Sequence, residues 1–308
     1  QEKFYISLSN PVESSIATPI ADVHINDDDL PVASISSELA LETASSISFT
    51  VNLSSTPASA VTIYYTFTHI TTANTDFTAT PISGMVTILG GFTSTSITFP
   101  INNDLIDEPD QSFSVKLESA GAIGAAISAS NFTGTGTIQD DDAAPSLNIS
   151  VSSATISEGA GTATFVVTQS QVSEKTITVL FSTTDDSAIA SEDYTAVSSA
   201  TLTLPANSVS GSKTVTILDD SIDEPRQFFW GSISSPTDAT LGTTTTVRQY
   251  LTDNDPEPTI SIASTSGTES GNIVFQVSLS TASQQTFSID YTNTLVTASY
   301  PDFSGFIA

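Results

Sequence analysis

Three acidic triplets constrain this chain more than any other feature. Asp27-Asp28-Asp29, Asp140-Asp141-Asp142 and Asp253-Asn254-Asp255 follow one another at intervals of 113 residues. Other markers recur between them in the same order. Ile106-Asp107-Glu108-Pro109 returns as Ile222-Asp223-Glu224-Pro225, and Asp76-Phe77 returns as Asp193-Tyr194 and Asp302-Phe303. A lone glutamate trails each triplet, at Glu42, Glu158 and Glu269. Several markers kept in one order identify an internal repeat, and a repeat of this length is a whole domain. The chain therefore divides into the last strands of a preceding repeat (1–29), repeat 1 (30–142), repeat 2 (143–255) and the opening part of a following repeat (256–308). Phe4 aligns with Phe113 and Phe229, which places 1–29 at the end of a period; the chain is expected to be a window on a longer array.

Each period reads as β. Ser48-Phe49-Thr50-Val51-Asn52-Leu53, Val61-Thr62-Ile63-Tyr64-Tyr65 and Ser96-Ile97-Thr98-Phe99 alternate apolar and polar residues. Thr164-Phe165-Val166-Val167, Ile177-Thr178-Val179-Leu180-Phe181 and Lys213-Thr214-Val215-Thr216-Ile217 do the same in the second period. Period-two alternation rich in β-branched and aromatic residues marks strands with one buried face. About seven such strands per period, with no helical stretch, predict an all-β fold: tandem Ig-like antiparallel β-sandwiches with Greek-key connections. Pro31, Pro145, Pro256 and Pro258 lie in the short connectors and stiffen them.

Charge narrows the function. Six Lys and Arg stand against 34 Asp and Glu, a net charge of −28. Nucleic-acid binding and adhesion to anionic lipid both need a basic surface, which is missing here. With no cysteine there are no disulfides, thiolate metal sites or thiol nucleophiles. His24 and His69 each stand alone, outside any nucleophile–base or zinc spacing. The carboxylates recur in every repeat, which argues for a role common to all the domains rather than for catalysis. No enzyme is expected. Asn52, Asn131 and Asn148 form N-x-S/T triplets of a kind that a Ser/Thr-rich chain produces by chance.

The acidic markers of repeat 1 (Glu42, Asp76, Asp104, Asp107, Glu108 and 140–142) fall at strand ends and loops. Strand ends in a sandwich return to shared poles, so these groups can converge on one tip. Carboxylates gathered in this way repel unless cations lie between them, and hard oxygen ligands of irregular geometry suit Ca²⁺. The glycine and terminal glutamate of an EF-hand loop are missing.

The order Glu, Asp-(Phe/Tyr)-Thr, Asp-x-Ile-x-Glu and a closing acidic triplet resembles the Calx-β repeat, a family found in sodium–calcium exchangers, integrin β4 and long bacterial surface adhesins. Asp193-Tyr194-Thr195, Asp220-Ser221-Ile222-Asp223-Glu224 and Asp140-Asp141-Asp142 carry the resemblance. It implies that Glu42, Asp76, Asn103, Asp104, Glu108, Asp140, Asp141 and Asp142 surround Ca²⁺ in repeat 1. In repeat 2 the corresponding set is Glu158, Asp193, Asp219, Asp220, Glu224, Asp253 and Asp255. Gln111 and Gln227 stand where the family often has a second glutamate, Asn103 replaces the first aspartate of its pair, and Asn254 interrupts the last triplet. Each removes negative charge, so fewer or weaker ions are expected.

Phe228 and Trp230 flank core-facing Phe229 and should point outward, either as a contact patch or covered by the domain's own loops. The expected whole is an extracellular stalk or adhesin segment, its partners the neighbouring repeats and a cell-surface or host ligand. The alternatives are a subunit of an extracellular filament and a regulatory Ca²⁺ sensor of a membrane protein.

Overall fold

A computed structural model describes residues 2–25, 29–268, 271–292 and 294. Asp27, Asp28, Glu269 and Asp302-Phe303, which belong to three of the repeat's markers, lie outside the described residues. The chain forms two compact units, 1–143 and 144–308.

Both units contain the same two-sheet sandwich. In repeat 1, Ala126–Ile127, Val32–Ile35, Ile47–Leu53 and Ser94–Phe99 lie side by side in one sheet. The other holds Glu38–Leu41, Thr133–Gln139, Gln111–Ile123, Val61–His69 and Gly84–Ile88 in that order. Repeat 2 reproduces this with a four-stranded sheet around Thr162–Gln169 and a five-stranded sheet around Gln227–Thr237. The alternation seen in the sequence sets the faces: along Ile47–Leu53 every second residue is buried. Phe49 and Phe99 from one sheet meet Phe113 from the other, each with ring centroids 5.6 Å from it. In repeat 2, Phe165 packs on Phe181 at 5.0 Å and Phe229 stacks on Tyr194 at 4.0 Å. The sheets approach so closely beside these rings that glycine is required. A Cβ on Gly231 would lie 2.2 Å from the Phe165 ring of the opposite sheet, and one on Gly136 would lie 2.8 Å from the Phe49 ring.

One departure from a purely antiparallel sandwich matters for function. The opening strand of each repeat divides between the two sheets, and its second piece pairs parallel with the closing strand. Glu38–Leu41 runs beside Thr133–Gln139 with Leu41 opposite Gln139. Thr155–Ser157 runs beside Thr246–Thr252 with Ser157 opposite Thr252. Parallel neighbours leave the sheet at the same end. Before and after the repeats, Glu2–Ser7 pairs antiparallel with Ile20–Ile25, and Ile260–Ile262 with Val277–Leu279.

Candidate metal centre

The parallel pairing builds the site. Glu42 is the residue after Leu41 and Asp140 the residue after Gln139, so both emerge together at one pole. The Glu42 amide donates to the Gln139 carbonyl at 2.8 Å and fixes the register at the exit. Glu158 and Asp253 follow the matching pair, Ser157 and Thr252, in repeat 2. Glu42, Asp140 and Asp142 thus bring three carboxylate oxygens within 4.8 Å of one another, as do Glu158, Asp253 and Asp255.

The triplet alternates its side chains as extended backbone does. Its first and third members enter the cluster, while the middle one turns back to hold the loop. Thr43 donates to Asp141 at 2.5 Å; in repeat 2 the Gly159 amide donates to the Asn254 side-chain oxygen at 3.2 Å. Asp141, placed among the ligands by resemblance, is therefore a strap outside the three-carboxylate group. Asn254 occupies the strap position as well, so its missing charge is not subtracted from the cluster.

The other markers close around these groups. Phe77 and Tyr194 are core residues, 5% and 1% exposed, and they hold the preceding Asp76 and Asp193 at the rim. Each aspartate spends one oxygen on its own turn, Asp76 accepting from the Ala73 amide and Asp193 from the Ile189 amide, both at 2.6 Å. Asp104 and Asp220 accept from the Ile106 and Ile222 amides at 2.8 Å, and the Asp104 amide donates to Glu42 at 3.1 Å. In repeat 1 a cavity of about 10 Å³, large enough for one water-sized body, is lined by Glu42, Asp76, Asn102, Glu108, Gln111 and Asp140, with Pro109 and Ile138. Asn102 lines it, whereas the exposed Asn103 donates to the Asp104 carbonyl at 3.1 Å. One step along an extended loop reverses the direction of the side chain, so Asn102 rather than Asn103 faces this cavity. Asp219 and Asp220 are exposed at the margin, close enough for their charges to act on Asp255.

Gln111 and Gln227 take up the place of the absent second glutamate. Their amides donate to Glu108 at 2.6 Å and to Glu224 at 3.0 Å. This leaves the Gln111 side-chain oxygen buried without a donor. Asp142, Glu158 and Asp255 also each carry a buried carboxylate oxygen with no hydrogen-bond partner. Buried acceptors left unpaired are costly, and here two lie at the acidic pole of each repeat.

The electrostatics agree. Glu158 is pushed up to about 7, first by burial and then by the charges of Asp253 and Glu224. Glu224 is likewise pushed up to about 7, by burial and by Asp193, Asp220 and Asp253. Burial also raises Glu42, with Asp104, Asp142 and Asp140 adding to it against the Asp104 amide. The Asp142, Asp193 and Asp255 carboxyls all rise, each chiefly through burial. The ligand atoms are all oxygens, carboxylate or amide, which is the donor set of a hard divalent cation such as Ca²⁺. His69 is not among them: its two ring nitrogens bond to Thr72 and Asn74 at 2.8 and 3.1 Å.

Phe228 and Trp230 are half-buried beneath Arg248, whose guanidinium lies 4.7 and 4.6 Å from their ring centres. The Trp230 indole donates to Asp186 at 3.3 Å.

The Calx-beta domain family matches residues 32–133 and 140–255. Among solved structures, CBD12 from CALX1.2 is 18% identical, covering 71% of this chain and 98% of its own, with a TM-score of 0.34. The calcium binding domain CBD12 of CALX1.1 is 18% identical over 70% of this chain and 96% of its own, with a TM-score of 0.33. No curated protein matches. With both repeats matched, and so well over half of its length, this chain belongs to the Calx-beta domain family.

Proposed function

We propose that the chain is a Ca²⁺-binding structural segment of an extracellular stalk or adhesin, in which the ions stiffen each domain and its junction with the next. One observation carries the reading: in both repeats a parallel strand pair delivers the lone glutamate and the acidic triplet to one pole, where buried carboxylate oxygens stand without donors. In repeat 1, Glu42, Asp76, Glu108, Asp140 and Asp142, with the Gln111 oxygen, would hold Ca²⁺. In repeat 2 the holders would be Glu158, Asp193, Glu224, Asp253 and Asp255. Bound Ca²⁺ supplies positive charge that offsets the repulsion among these groups. The triplet lies immediately before the connector to the next domain, so whatever fixes the triplet also fixes the start of that connector.

Thermal unfolding with Ca²⁺ and with chelator tests the proposal. Extracellular modules bind Ca²⁺ with Kd values of about 10⁻⁴ to 10⁻³ M. At millimolar Ca²⁺ each ion then adds on the order of 1 kcal/mol, and the midpoint should rise by about 4 °C or more per repeat. The same midpoint in both buffers would rule out the ion-binding role.

A further inference from the structure

We propose that Asp223 is the docking acceptor for the repeat that follows, and that Glu224 links this joint to the ion cluster of repeat 2. The two residues are adjacent in Ile222-Asp223-Glu224-Pro225 yet face different partners. Asp223 is 2% exposed, and its acceptors are occupied by one turn from beyond the Pro256-Glu257-Pro258 connector. Ser283 Oγ donates to its Oδ2 at 2.6 Å, and Gln285 Nε2 to its Oδ1 at 2.8 Å. The Gln284 amide donates to the Asp223 carbonyl at 2.9 Å, and the two segments meet in a parallel β-bridge between Asp223 and Ser283. Every donor from the turn is neutral. This is hydrogen-bond recognition of a buried carboxylate rather than an ion pair, and it survives in a chain with six basic residues.

Glu224 provides the link. Its Oε2 accepts from Gln227 at 3.0 Å, and its Oε1 accepts from the Gln284 side chain. Its counterpart in repeat 1, Glu108, lines the cavity together with Glu42 and Asp140, and Glu224 holds the same place in Ile222-Asp223-Glu224-Pro225. The turn and Gln227 between them hold both oxygens of Glu224, and coupling between two sites is reciprocal. One period earlier the sequence keeps Ile106-Asp107-Glu108-Pro109 and the serine of the turn, Ser173, and has Glu174 and Lys175 in place of Gln284 and Gln285.

The coupling to the cluster rests on the Ca²⁺ reading above; the docking does not. The test uses the full chain. Because it contains no cysteine, Thr203→Cys and Ser278→Cys give two unique spin-label sites, one in repeat 2 and one beyond the connector. The distance distribution between them should be narrow in the otherwise unchanged chain. It should broaden in Ser283→Ala/Gln285→Ala and in Gln285→Glu, which sets a like charge against Asp223, while the unfolding midpoint of repeat 2 holds. Gln284→Ala should weaken Ca²⁺ binding to repeat 2 by about 5-fold in titration calorimetry, a coupling at the low end of the usual range. Equal widths in the parent and both docking variants would overturn the docking, with or without Ca²⁺. Unchanged or tighter Ca²⁺ binding in Gln284→Ala would overturn the coupling. If the parent chain binds no Ca²⁺, the function proposed above fails and the distance measurement still decides the docking.

Discussion

Glu158 and Glu224 are the residues whose titration can be read in solution. Both sit at about 7 in the metal-free fold against 4.5 for the ordinary carboxyl. A pKa raised on folding gives stability that is complete below the unfolded value and disappears as pH climbs through the folded one. In chelator the unfolding midpoint should therefore fall between pH 4.5 and about 7, the window these two groups define. Ca²⁺ must displace those protons, so its stabilising effect should grow over the same interval, and the two curves should converge at acid pH. Differential scanning calorimetry at pH 5 and pH 8 checks both slopes. Glu158→Gln should flatten the chelated slope, raise the chelated midpoint and weaken Ca²⁺ binding at repeat 2. Asp141→Asn should do far less, leaving Ca²⁺ affinity within about twofold, because Thr43 already occupies that carboxylate. The lone glutamates and the outer members of the triplets were legible in the sequence because their spacing repeats. The exchange of Asn103 for Asn102, and the strap at Asp141, were not. Each depends on which way one extended residue points, and the recurring spacing carries no signal for that.

Among the elements, the buried strands were the most legible and the short split strands the least. Ile47–Leu53 and Ile177–Thr184 display their inward face in plain alternation. Glu38–Leu41 and Thr155–Ser157 have four and three residues and no fully buried position, so no pattern betrays them. Yet these two carry the functional geometry. Inserting one alanine between Thr252 and Asp253 moves the triplet one step and reverses its faces. Such a chain should keep its far-UV dichroism and lose Ca²⁺ binding at repeat 2 alone. The sheet contact at Gly231 gives a separate check. Gly231→Ala drives a methyl into the Phe165 ring and should cost about 1–3 kcal/mol in urea unfolding, with the ion cluster unaffected.

Across the whole molecule, the charge of −28 leaves six basic residues among 34 acidic ones, and the repeat accounts for the recurrence of the acidic poles. Arg248 lies over Phe228 and Trp230 and leaves both half-buried, so the aromatic patch is only partly open to solvent. The parallel pairing also determines how such a domain bears load. A pull on the array draws the opening strand back toward its own start and the closing strand onward past its end, so the two slide along each other and their ladder bonds must break together rather than one at a time. The carboxylates lie just beyond the end of that ladder, across the line of sliding. A metal bridging Glu42 to Asp140 would act as a rivet against shear, and calcium in the surroundings would set the tension at which each link of the chain gives way.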